Sequence, residues 1–384
     1  MSLAKSYQNE VRVANGDVLR VGSILDQMAA KSVFLVTHEL AYQQSGAEAK
    51  LKKALAGRHV FRFTDFEPNP KLEDAERAVA FLKEQKYDAV LAVGGGSAID
   101  MAKLSCAFHS QPDSPREVIA DPSNLVAKSL PLIAVPTTAG TGSEATHFAV
   151  VYLDGQKFSL PHPSLLPDVA IIDPELTYNI PKYLTAVTGL DALCQGIESY
   201  WSIQSTDESR DDARKAIKLA WKHLESVVHH GNPIDRFAMC EASHFSGRAI
   251  NISKTTAPHA ISYCITSRCG IPHGHAVALT LGQILEHNAE VSQSDVTDPR
   301  GVSHVQACMN EILNLLECNT ASEASQRFSA LMESISCKTK LEIDEKDGPE
   351  LLEDITENVN PERLGNNPRV LDQLGLHRIL SGIL

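Results

Sequence analysis

The sequence predicts an α/β N-terminal domain on a mostly parallel sheet, residues 1–180, followed by an all-α C-terminal domain, residues 181–384. Three observations carry this. Short β-branched runs alternate with helix-like stretches in the first half, two Gly/Thr-rich loops directly follow buried strands, and the β signal nearly stops after Pro181. Alternation of that kind marks βαβ units and a parallel sheet.

Taken in order, Ser32–Thr37 reads as a strand, Leu40–Leu55 as a helix, Val60–Phe63 as a strand and Leu72–Glu84 as a helix. Ala89–Val93 is a buried strand running into Gly94-Gly-Gly-Ser97 and a helix toward Phe108. Leu130–Val135 is a further strand, and Phe148–Leu153 and Val169–Asp173 read as the last ones. Beyond a boundary near 178–183, helices are separated by breaks such as His230-Gly-Asn-Pro233. The acidic stretch Glu342–Glu357 reads as a solvated surface segment.

Composition excludes several roles. With 48 acidic against 35 basic residues the net charge is −13, which argues against nucleic acid or an anionic membrane as a partner. No stretch is long and apolar enough to span a bilayer, and Met1–Ala30 carries charges throughout, so the cytoplasm is the expected location. Eight cysteines without a CxxC pair do not read as a disulfide framework or a zinc ribbon.

The Gly94–Ser97 loop fits a phosphate cradle, because glycines admit close backbone approach and a helix start attracts anions. It fits equally a tight turn in which Ser97 caps the helix and Asp100 completes a capping box. The second loop, Pro136-Thr-Thr-Ala-Gly-Thr-Gly-Ser-Glu144, tips the balance toward nucleotide, since two such loops at strand ends mark a nucleotide crevice. Neither is a Walker loop, so phosphoryl transfer from ATP is not indicated.

In the second half, Asp191 and Gln195 lie four apart on one helix face. Thr255, His259, Ser262, Tyr263 and Thr266 form a polar stripe in an apolar stretch, and His273 stands at a helix start. A carboxylate, two histidines and an amide suit a divalent metal, although the spacing matches no compact motif such as HExxH.

With these residues in place, the sequence resembles the iron-containing (group III) alcohol dehydrogenase family over essentially its whole length. The motifs are Asn69-Pro70, Gly94-Gly-Gly-Ser-x-x-Asp100, Pro136-Thr-Thr-x-Gly-Thr-Gly-Ser-Glu144, Pro167-Asp-x-Ala-Ile-Ile-Asp-Pro174, Gly189-x-Asp-Ala-Leu193 and Pro272-His-Gly274. The resemblance implies a dehydroquinate synthase-like architecture, with an N-terminal dinucleotide-binding domain, a helical metal and substrate domain, and a homodimer. It implies an NAD(P)H-linked reductase of a small aldehyde that uses a divalent metal. His38, Asn69, Gly94, Gly95, Gly96, Ser97, Asp100, Thr137, Thr138, Thr141, Ser143 and Lys157 fall on the cofactor side, and Asp191, Gln195, His259 and His273 on the metal.

Three departures from the family pattern bear on chemistry. Gln195 stands where His is usual, which leaves a neutral amide as fourth ligand and admits zinc, nickel or manganese in place of ferrous iron. Tyr263 stands where many members carry a second His, leaving Tyr263 and His275 as the candidate proton carriers. Thr37-His38 stands where NAD-preferring members tend to carry Asp, so no like charge opposes a 2′-phosphate and NADPH is permitted. Within the family, the pattern of Gln195, Lys254–Tyr263 and Pro272–Val277 is most similar to members that reduce phosphonoacetaldehyde to 2-hydroxyethylphosphonate. Lys254, Thr255, Ser262 and Arg268 are then the candidate phosphonate contacts. Another short aldehyde, maleylacetate, or a dehydroquinate synthase-like lyase reaction are the competing readings.

Overall fold

The computed structural model describes residues 10–154, 156–343 and 348–384 and divides into two compact units, Met1–Ile180 and Pro181–Leu384. Residues 1–9 of the N-terminal stretch and 344–347 of the acidic stretch lie outside the described residues.

In the first unit, β1 (Glu10–Val13), β2 (Ser32–Thr37), β3 (His59–Phe63), β4 (Ala89–Gly94), β5 (Leu132–Pro136) and β8 (Val169–Ile172) form one parallel sheet in the order β1-β8-β5-β4-β2-β3. The central strands β4 and β5 are buried throughout, which is why they read as continuous apolar runs. Phe34, Val36, Val90 and Ala92 face one core, and Val33, Leu35, Leu91 and Val93 face the other. The helices covering the sheet are α1 (Val21–Gln27), α2 (Glu39–Gln44), α3 (Ala47–Leu55), α4 (Leu72–Glu84), α5 (Gly96–His109) and α6 (Pro115–Ala120). After β2 the chain adds β3 on one side of it and returns to add β4 on the other. That reversal opens a crevice at the carboxyl ends of β2 and β4, where ligands of such sheets bind.

Four local expectations change. Leu40–Leu55 is not one helix: Gly46, at φ +78°, splits it into α2 and α3. Phe148–Leu153 is a strand, β6, but it pairs antiparallel with β7 (Gln156–Pro161) outside the main sheet. β1 is too short and too mixed in polarity to show in the sequence, and only pairing with β8 makes it a strand. The capping box at Ser97 does not form, because the N-cap is Gly95 and Asp100 turns elsewhere.

Asp100 accepts from Ser143 Oγ at 2.5 Å and from Val150 N at 3.0 Å, tying α5 to the second loop and to β6. Lys103, one turn later and fully buried, donates to the carbonyls of Ser143 (2.6 Å), Thr146 (2.9 Å) and Phe148 (2.9 Å). Burial pushes its pKa down to about 8.

The second unit is helical: α7 (Lys182–Trp201), α8 (Asp207–His230), α9 (Pro233–Ser253), α10 (Ala257–Cys269), α11 (His273–Ala289), α12 (Val302–Leu315), α13 (Ala321–Ser334), α14 (Gly348–Asn358), α15 (Pro361–Leu364) and α16 (Gln373–Ile383). α7 is buried on nearly every face from Thr185 onward, packed by α8, α9 and α11. The polar residues on it are therefore interior residues. Caps at Thr206, Asn232 and Asp372 fix the starts of α8, α9 and α16. Among the described residues no helix is long and apolar enough to cross a membrane, and all eight cysteines are free.

Replacing Lys103 by Met keeps the volume but strands three buried carbonyls. Urea denaturation is expected to show a loss of about 3 kcal/mol.

Candidate metal centre and nucleotide loops

α7 presents Asp191 two turns before Glu198, both inside the helical unit. The break at Lys254, which adopts φ +57°, ends α9 and turns the chain into α10, which carries His259, Ser262 and Tyr263. Thr255 lies before α10, so the helical stripe begins at His259. His273 is the first residue of α11. Gly274 follows because α11 presses on α7 there: a Cβ at Gly274 would run into the Val187 carbonyl and come within 2.8 Å of Asp191 Cβ. The glycine is what lets His273 reach Asp191.

Asp191, His259 and His273 offer one ligand atom each within 4.8 Å of one another. His259 Nε2 is 3.4 Å from Asp191 Oδ1, and that oxygen is buried without a hydrogen-bond partner among the described residues. The orientation of both rings is set from behind. His259 Nδ1 bonds Glu198 Oε2, whose Oε1 accepts from Thr256 N at 2.9 Å and His259 N at 3.3 Å. Trp201 Nε1 in turn holds Thr256 Oγ1 at 2.8 Å. With its Nδ1 proton held by Glu198, His259 would ligate through Nε2 once a cation displaces the Nε2 proton that faces Asp191, the arrangement typical of histidine ligands. Ser262 Oγ gives its proton to the His259 carbonyl at 2.8 Å, so at 3.4 Å it accepts from His273 Nδ1 and leaves Nε2 for a cation.

Burial works against charge on His259, but the carboxylates of Glu198 and Asp191 outweigh it and raise its pKa to about 9. The site is thus built to hold positive charge between two buried carboxylates, and an orphaned carboxylate oxygen beside two imidazoles fits a divalent metal.

Several expected residues take other roles. Gln195 is buried, and its Oε1 accepts from Ser246 Oγ at 2.9 Å. Ser262 is fully buried, its hydroxyl taken up between the His259 carbonyl and the His273 ring. Lys254 pairs with Glu362 at 2.7 Å, and Arg268 pairs with Asp354 at 2.7 Å on the exposed side of α10. Neither guanidinium nor ammonium is held for a phosphonate. His275 donates from Nε2 to the Lys338 carbonyl at 2.7 Å and accepts from Tyr183 Oη at 3.1 Å on Nδ1. With both nitrogens occupied, and burial lowering its pKa, His275 is a structural residue. Tyr263 does lie at the cluster, stacked on His273 with ring centres 5.9 Å apart. Thr255 is buried, its carbonyl held by Asn366 Nδ2 at 2.9 Å.

In the first unit, the two loops interlock. Thr137 N donates to Gly94 O at 2.9 Å, and a Cβ on Gly96 would come within 2.8 Å of Thr141. Thr138 packs against Gly95 in the same way. Ser97 Oγ accepts from Asn69 N at 3.2 Å, with Asn69 itself at φ +61°. Asp100 and Ser143 bond each other, so they shape the loops from behind. His38 follows β2 at the N-cap position of α2 without a side-chain capping bond, its ring centre 4.3 Å from that of Phe66; burial lowers its pKa, so it is neutral near pH 7. Lys157 lies on β7, opposite Tyr152.

Sequence reasoning missed Glu198 and Ser246. Glu198 left a trace, an acid seven residues after Asp191 on an apolar helix.

Comparison with known proteins gives concordant matches. The family described as iron-containing alcohol dehydrogenase matches residues 8–174, and its C-terminal counterpart matches residues 185–384. The phosphonoacetaldehyde reductase of Streptomyces viridochromogenes is 36% identical over 324 residues, covering 81% of this chain and 80% of its own. A sulfoacetaldehyde reductase from Bifidobacterium kashiwanohense, solved in complex with NAD+, superposes with a TM-score of 0.86 at 31% identity, covering 97% of this chain and 96% of its own. An iron-containing alcohol dehydrogenase from Thermotoga maritima superposes with a TM-score of 0.83 at 25% identity, covering 97% of each chain.

If Glu198 orients His259, Glu198→Gln is expected to weaken metal binding by about 10- to 100-fold in a chelator competition while circular dichroism stays unchanged.

Proposed function

The chain belongs to the iron-containing alcohol dehydrogenase family, and from that premise we propose that it is a metal-dependent, NAD(P)H-linked reductase of a small anionic aldehyde, with phosphonoacetaldehyde to 2-hydroxyethylphosphonate as its reaction. The observation that carries the reading is the cluster of buried Asp191 and His259 with half-buried His273, whose ligand atoms lie within 4.8 Å of one another. The substrate class is supported by two relatives named for two-carbon aldehydes bearing a phosphonate or a sulfonate.

When bound, the metal supplies Lewis acidity at a carbonyl oxygen and the nicotinamide supplies hydride. Asp191, His259 and His273 would hold the metal. With the metal bound, Glu198 would hold the remaining His259 proton on Nδ1 and leave Nε2 to ligate, and Ser262 would do the same for His273. Gln195 completes the set if its amide is turned so that Nε2 donates to Ser246. That orientation lets the single Ser246 proton go to the Ser243 carbonyl, 2.9 Å away, and frees Oε1 as a neutral ligand. A neutral fourth ligand leaves more net positive charge at the metal than a carboxylate would. Gly94, Gly95, Gly96, Ser97, Thr137, Thr138 and Thr141 line the crevice that would take the dinucleotide, with backbone N–H groups at the start of α5 suited to its pyrophosphate. Tyr263 keeps its proton on Oη, because burial raises its pKa, and with its ring stacked on His273 it is the candidate proton carrier, relaying to the product oxygen through water. Neutral His38 presents no carboxylate to a 2′-phosphate, which suits NADPH.

A metal analysis followed by an aldehyde panel, read through nicotinamide absorbance with NADH and NADPH, tests the reading. Phosphonoacetaldehyde is expected to give the highest kcat/KM. A chain that consumes substrate without changing the absorbance would instead be a lyase of the dehydroquinate synthase type. His273→Ala is expected to lose both bound metal and turnover, and His38→Asp to raise the KM for NADPH by about tenfold or more relative to NADH, through like-charge repulsion.

A further inference from the structure

The candidate phosphonate cations of the sequence are committed elsewhere, Lys254 to Glu362 and Arg268 to Asp354. A different cation lies behind Tyr263. Arg363, on the short helix α15 that packs against α10, is 8% exposed. Its backbone is pinned through its own N–H to Asn360 Oδ1 at 2.9 Å. Its side chain is reached by the Tyr263 hydroxyl, and its Nη1 is buried without a hydrogen-bond partner among the described residues. Glu362, the neighbouring acid, is taken by Lys254.

A buried guanidinium with an unmet donor is costly unless an anion completes it. The position of this one is fixed. Asn366, three residues on, donates from Nδ2 to the carbonyls of Ser253 (2.8 Å) and Thr255 (2.9 Å), binding the segment after α15 to the break that starts α10. Tyr263 then links the two ends of the site: its ring stacks on His273, a member of the metal cluster, and its hydroxyl meets Arg363. Arg363 and the metal cluster thus meet opposite ends of the same Tyr263 side chain. Thr266, one turn beyond Tyr263 on α10, has a buried hydroxyl that also lacks a partner among the described residues, a second donor on the same face of the helix.

We propose that Arg363 is the specificity-determining residue that binds the tetrahedral oxyanion of the substrate while the carbonyl lies at the metal cluster. The inference rests on the anionic-aldehyde reading above. Guanidinium geometry suits two oxygens of a phosphonate at once, which a lysine cannot match.

The test is the ratio of kcat/KM for phosphonoacetaldehyde to that for propanal, in the metal-loaded enzyme and in Arg363→Met and Arg363→Lys. A ratio cancels any loss of fold or metal, which acts on both aldehydes alike. The ratio is expected to fall by about 100-fold in Arg363→Met, the loss of a charge-assisted pair, and by about tenfold in Arg363→Lys. The lysine variant keeps the charge and serves if the methionine variant does not fold. In wild type, 2-hydroxyethylphosphonate is expected to raise Tm, and in Arg363→Lys that shift is expected to shrink. A wild-type ratio near one would defeat the anionic-aldehyde reading itself. A high wild-type ratio that survives in both variants overturns the assignment of Arg363 and leaves that reading standing.

Discussion

The helical unit depends on one buried chain of charge, from Glu198 through His259 to Asp191. All three are at most 4% exposed, so no solvent screens them and each exists only because the others do. Glu198 serves two ends at once. One oxygen gathers Thr256 N and His259 N at the start of α10, and the other takes the His259 proton. The carboxylate therefore folds the helix start and selects the tautomer of the ligand with the same contacts. Removing it leaves an uncompensated imidazole and two unpaired amides in the interior, a loss of about 3 to 5 kcal/mol by the usual behaviour of broken buried pairs.

Close backbone approach is the second constraint, and it operates in both units. Gly274 brings α11 onto α7 at Asp191, where a methyl group has no room. Gly95 and Gly96 do the same for the two loops of the parallel sheet, where Thr138 and Thr141 occupy the space a side chain would need, while a Cβ at Gly94 would meet Ala98. The glycines of the first loop are thus required by the second loop as well as by any phosphate. Lys103 and Asp100 lock that pair from the buried side of α5, which explains an ionisable pair in the middle of an apolar helix.

Much of this was legible in the chain itself. The parallel strands are continuous apolar runs because they are covered on both faces, and Leu72–Glu84 carries a helical pattern strong enough to fix both ends. Asp191, His259 and His273 stood out as polar residues in apolar stretches, and the family resemblance implied that they are metal ligands. What could not be read were contacts between distant residues. Lys254 and Arg268 have the right charge and nearness in sequence to the ligands, yet their side chains leave the helices toward Glu362 and Asp354. His275 is two residues from a ligand, but half a helical turn points it to Tyr183 and Lys338.

Local signals in the chain marked the α/β and all-α division and the two loops at strand ends, because periodicity and glycine placement are local properties, while the four metal-ligand candidates, Asp191, Gln195, His259 and His273, came from the family resemblance. Tertiary structure alone decided which charges are free. Glu198 became the partner of His259, Gln195 met Ser246, and Arg363 was left with an unmet donor beside Tyr263. The physical reason is that a side chain's chemistry depends on whether its charge and hydrogen bonds are already satisfied, and the partners that satisfy them come from helices far apart in the chain.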